Sequence, residues 1–77
     1  MEYLANRIRQ LMWAFDTYEY GDMFDNDIEA VKHIESLLQN QNGINNLIDF
    51  TNDVLESELH ELFKEAAGIK QLLIEMN

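Results

Sequence analysis

Apolar residues along this chain recur at intervals of three and four, the spacing of one helix face rather than of a strand. The first run is Leu4, Ile8, Leu11, Phe15 and Tyr18, which predicts an amphipathic helix over residues Glu2–Glu19. Gly21 is placed to end it, because glycine accepts the left-handed backbone that closes many helices. A second helix is expected from near Asp25. Asn26 and Glu29 stand at the N-cap and N3 spacing of a capping box, and Phe24, Ile28, Val31, Ile34, Leu37 and Leu38 form the apolar side. The run "QNQNG", residues 39–43, is a polar stop with Gly43 at the expected helix C-terminus.

The remaining segment, Ile44 to Met76, repeats apolar residues every seven positions at Ile48, Leu55, Leu62, Ile69 and Met76, joined by Ile44, Leu59, Ala66 and Leu73. As one helix it would run about 50 Å at 1.5 Å per residue, roughly twice the length of either earlier helix. It is therefore expected to break or bend, at Thr51 as a new N-cap or at Gly68, or else to pack its overhang on another copy. The predicted fold is all-α: a small antiparallel helical bundle of three main helices, the third bent or divided. The expected core includes Leu4, Ile8, Leu11, Phe15, Ile28, Val31, Leu55, Leu59 and Leu62.

Length confines the chain to a single helical domain over residues 1–77, since 77 residues cannot bury two cores. No cysteine is present, which removes disulfides and thiolate-bound zinc and suits a reducing compartment. The opening "MEYLANRIRQ" lacks a signal-peptide pattern, and no apolar run approaches the ~20 residues of a membrane span. A cytoplasmic protein is expected. Fifteen acids against five bases give a formal charge of −10. That sign opposes direct binding to nucleic acid or to an anionic membrane. High net charge accompanies disorder in apolar-poor chains, but here 47% of residues are hydrophobic and regularly spaced.

Charge is concentrated in "DTYEYGDMFDNDIE", Asp16 to Glu29, which has six acids and no Lys or Arg. A calcium loop starting at Asp16 would place Gly21 at position 6 and Asp27 at position 12, but Tyr18 and Tyr20 occupy positions 3 and 5, where carboxylates are needed. Zinc is equally unsupported: "HELFK" places Lys64 where the second histidine of a zinc-binding helix would stand, and His33 is distant in sequence. No metal or other cofactor is expected. Ser57 and His60 lie one helical turn apart, but nothing around them suggests a catalytic pocket, and no enzymatic activity is expected.

The triplet "ESL", Glu35–Leu37, resembles the Asp-Ser-Leu phosphopantetheine site of acyl carrier proteins, which are also small, acidic and helical. That resemblance would make Ser36 the attachment point. In that family the serine begins a helix, whereas the apolar pattern here sets Ser36 inside one.

The acids fit a partner-facing surface better. Asp16, Glu19, Asp22, Asp25 and Asp27 cluster around the end of the first predicted helix, near Trp13 and Tyr20. Trp13 falls opposite the first apolar stripe, and Trp and Tyr are among the residues that dominate binding hot spots. Farther on, Asp49, Asp53 and Glu56 line one side of the third segment, with His60 continuing the row and Glu58, Glu61 and Glu65 flanking it. A face kept merely soluble usually mixes both signs, yet no base stands between Arg9 and Lys32. In size and composition the chain resembles phage and plasmid inhibitors of host defence, including anti-restriction and anti-CRISPR proteins. That resemblance implies a non-enzymatic inhibitor occupying a basic, nucleic-acid-binding surface of a partner protein. The alternative is a helical oligomerisation or adaptor module, such as a homodimer, supported by the long third segment and by Phe50 and Val54 lying off its main stripe.

Overall fold

The computed structural model of the protein describes residues 2–15 and 27–76. Among these residues there are four α-helices and no strand: α1 (Glu2–Ala14), α2 (Asp27–Leu37), α3 (Gln41–Glu56) and α4 (Phe63–Met76), the last entered through a 3-10 turn at His60–Leu62. The small helical bundle expected from the apolar spacing is present, with the third segment divided into two α-helices. The expected extension of the first helix to Glu19, its end at Gly21 and the cap at Asn26 lie outside the described residues.

α1 forms as its pattern requires. Leu4, Ala5, Ile8, Leu11 and Met12 are buried along one stripe, and Phe15, just past the helix, packs against the same core. α2 contributes Ile34 and then Leu38, just beyond its end, each 2% exposed, while Val31 and Leu37 are partly buried. α1 lies mainly against α2, and α3 lies mainly against α4.

The connection from α2 to α3 occupies only residues 38–40. The Asn40 side chain caps α3 by accepting a 2.7 Å hydrogen bond from the Gly43 backbone N–H, satisfying one of the donors a helix N-terminus leaves unpaired. The polar stop is therefore real, but Gly43 does not end α2. It sits in the first turn of α3, pressed against the end of α2. A Cβ there would overlap the Leu37 carbonyl and stand 2.7 Å from the Leu37 carbonyl carbon and Cα. Glycine is needed for this close backbone approach rather than for a left-handed cap.

The division of the third segment falls at residues 57–59, not at Thr51 or Gly68. Ser57 is extended (φ −79°, ψ 177°), and its backbone N–H still donates to the Val54 carbonyl. Its hydroxyl donates to the same carbonyl at 2.6 Å and accepts from the Leu59 N–H at 3.2 Å. One side chain thus closes α3 and fixes the chain leaving it. Thr51 is instead fully buried inside α3, its hydroxyl donating to the Ile48 carbonyl at 2.7 Å. That internal bond lets a polar residue stand in the core without an unsatisfied group. Gly68 lies within α4 beside the Arg7 guanidinium.

The break changes which residues are inside. α3 buries Gly43, Ile44, Leu47, Phe50, Thr51 and Val54, and α4 buries Ala66, Ile69 and Leu73. The seven-residue stripe drawn through Ile48, Leu55 and Leu62 runs along the margin of the core, where all three are partly buried. With two shorter helices folded back against each other, no single seam need run the whole segment. Phe50 and Val54 are core residues, not surplus apolar surface. Two expected core residues are outside: Ile28, in the first turn of α2, is 66% exposed, and Leu59, in the interhelical link, is 38% exposed. No described helix is long and apolar enough to cross a membrane.

Candidate partner-facing surface

α3 fixes the clearest part of the surface. Its buried side, Ile44, Leu47, Thr51 and Val54, follows the helical period. The opposite side must therefore carry Asn42, Asn45, Asn46, Asp49, Asp53 and Glu56, and all six are exposed. α3 contains no Lys, Arg or His. Among the described residues, none of these three carboxylates has a hydrogen-bond or ion-pair partner. Asp49 to Glu56 spans about 10 Å of helix axis, with carboxylates about 5 Å apart along it. Successive phosphates of one nucleic-acid strand are spaced about 3.4 Å along their axis, so the density of negative charge is of the same order.

The expected row does not continue past Glu56. The extended backbone at Ser57 ends the helix, and His60 turns away in the 3-10 segment, its ring 4.8 Å from that of Phe63. Glu58 lies in the link and Glu61 in the 3-10 turn. Glu65 lies in the first turn of α4, where its carboxylate accepts from the Arg7 guanidinium, the Nε contact being 2.7 Å. That ion pair joins α4 to α1 and removes Glu65 from any open acidic surface.

Trp13 is 72% exposed. It shares the outer side of α1 with Tyr3, 74% exposed, and with the amide residues Asn6 and Gln10. Tyr3 is steadied by the Arg7 guanidinium, 5.7 Å from its ring centroid. The Phe15 and Phe50 rings meet edge to face at 6.0 Å. This contact, on the core side, ties the end of α1 to the middle of α3. Among the proposed surface residues before α2, Asp16, Glu19, Tyr20, Asp22 and Asp25 lie outside the described residues. Asp27 opens α2.

Other candidate chemistry is dispersed. Ser36 is exposed in the last turn of α2, where its carbonyl accepts from the Gln39 N–H; it does not begin a helix. Both hydrogen-bonding functions of Ser57 are engaged with backbone. No group of three or more His, Cys, Asp or Glu among the described residues could hold a metal. Sequence reasoning overlooked the asparagines of α3, although Asn42, Asn45 and Asn46 precede the acids at helical spacing and could have been read as the same ridge.

Fold and surface together define a small all-α bundle with one outward helix face made of carboxamides and carboxylates. No protein-family model, curated protein or solved structure matches the chain.

Proposed function

We propose that this chain is a non-enzymatic acidic binding protein that occupies a positively charged, nucleic-acid-binding surface of a partner protein. The observation that carries the reading is the outward face of α3, with three exposed carboxylates and no base in the helix. Bare like charges one turn apart destabilise a helix by tenths of a kcal/mol. A basic groove would neutralise that repulsion on binding. Steering by the net charge of −10 would accelerate the encounter, and salt would slow it. The asparagine amides beside the acids offer donors and acceptors that could share the partner's Lys and Arg hydrogen bonds. Trp13, 72% exposed on the outer side of α1, supplies an aromatic body of the kind that slows dissociation. The inhibitory effect follows from competition: carboxylates hold the basic groups that would otherwise hold phosphates.

The test is capture from a cell extract on immobilised protein at low salt, followed by elution with duplex DNA. Basic proteins released by DNA, and not retained by a chain carrying Asp49→Lys and Asp53→Lys, are the expected result. Capture indifferent to DNA, salt and these reversals would remove the reading.

A further inference from the structure

A second surface lies on the far side of α4 and has a different character. α4 buries Ala66, Ile69 and Leu73 inward, yet it exposes Ile74 (45%) on the outward side and Leu72 (36%) and Met76 (39%) on the flank that also carries Glu65. Its apolar residues thus surround more of the axis than one buried face requires. Its formal charge is zero, two lysines (Lys64, Lys70) against two glutamates (Glu65, Glu75), in a chain of −10. The outward positions at helical spacing are Lys64, Ala67, Gln71, Ile74 and Glu75, all exposed. The positive end and the negative end of that face are therefore three turns apart.

We infer that the outward face of α4 is a self-association surface, on which a second copy of this chain packs its own α4 antiparallel. In an antiparallel pair about a two-fold axis, every contact occurs twice and is self-complementary. The midpoint of Lys64 and Glu75 falls between Ile69 and Lys70. The midpoint of Ala67 and Ile74 falls one residue further, between Lys70 and Gln71. One axis near Lys70 therefore satisfies both pairings, the offset being only about 1.5 Å of helix rise. Lys64 of each copy reaches Glu75 of the other, and Ile74 of each copy lies over the small Ala67 of the other. A parallel pair would oppose Lys64 to Lys64 and Glu75 to Glu75, so charge selects the antiparallel arrangement. The α3 ridge, with its unpaired acids, repels a second copy, whereas α4 is a helix on which two copies meet without net repulsion.

One helix face buries less than the roughly 800 Å² per partner of a standard interface. The dimer is accordingly weak, forming at about 0.1–1 mM. Its salt response is opposite to that of the proposed partner complex: salt screens the overall repulsion between copies and promotes association.

The experiment is sedimentation equilibrium of the full chain across that concentration range, in about 0.05 M and about 0.5 M sodium chloride. A monomer–dimer equilibrium that tightens with salt is expected. Lys64→Glu and Glu75→Lys should each weaken it about ten-fold, and the double exchange should restore it, because the two pairs are re-formed with signs reversed. Both side chains are exposed, so folding is unaffected, which the circular dichroism of each variant verifies. A chain that stays monomeric throughout overturns the proposal, as does a dimer indifferent to the single exchanges or one not rescued by the double. None of these outcomes bears on the α3 ridge, which the exchanges leave intact.

Discussion

At the scale of single residues, burial and close approach decide what each position tolerates. Leu11 is 2% exposed at the centre of the α1 stripe, so Leu11→Ala should cost about 2–5 kcal/mol, a large share of the stability of so small a domain. Leu62 sits at the margin of the core, so Leu62→Ala should cost clearly less. Ile28→Ser, at a site 66% exposed, should change stability by no more than about 0.5 kcal/mol. Urea titration of the three variants orders them, and equal losses at Leu11 and Ile28 would mean the assigned faces are wrong. Gly43→Ala presents a methyl to the Leu37 backbone at contact distances no side-chain rotation relieves. It should cost about 3 kcal/mol or more, measured in the same titration. In α1 the sequence made the interior legible, because one strong stripe met one core. It misled at Ile28, since helical spacing shows that a residue shares the apolar side but not whether the core extends to that turn. Gly43 misled differently: its neighbour across the turn comes from the end of another helix, and no local pattern contains that contact.

At the scale of elements, the third segment shows why a repeat can be correct and its interpretation wrong. Apolar residues do recur every seven positions from Ile48 to Met76, but two helices share the run and Ser57 separates them. A break was expected from length alone; its place was not. Ser57 was visible only as a polar residue among acids, and its double hydrogen bond is a fact of geometry. Ser57→Ala removes the hydroxyl's bonds to the Val54 carbonyl and the Leu59 N–H, leaving the backbone bond to Val54, and should cost about 1 kcal/mol. A differential scanning measurement would detect it, and an unchanged transition would mean that the link is fixed by packing alone. The acidic row was legible over Asp49, Asp53 and Glu56, where the helix continues. It was not legible at His60, where the helix does not. For the whole set of elements, circular dichroism should show a helical spectrum without a strand contribution.

At the scale of the whole molecule, charge is segregated. α1 and α4 together carry four bases and three acids, whereas α3 carries three acids and no base. A net charge of −10 on so small a body destabilises the compact state by self-repulsion. Raising salt from about 0.02 to about 0.5 M should therefore raise the melting temperature by a few degrees; a fall would show that specific ion pairs such as Arg7–Glu65 outweigh the general repulsion. Calcium should screen the carboxylates weakly, without a saturable site in calorimetry, because Tyr18 and Tyr20 stand where a calcium loop needs oxygen ligands.

The claim that matters most is that the acids of α3 face a basic partner. The direct measurement is the association rate of a captured partner with the natural chain, with an Asp49→Lys, Asp53→Lys chain and with an Asp22→Lys, Asp25→Lys chain, each at two salt concentrations. If the ridge is the contact, the α3 reversals should slow association about ten-fold or more and flatten its salt dependence. Trp13→Ala should raise the dissociation rate with little change in salt response. A loss confined to the Asp22 and Asp25 reversals would move the contact to the segment before α2. Association unchanged by either pair of reversals, at both salt concentrations, would contradict an electrostatic role for this surface.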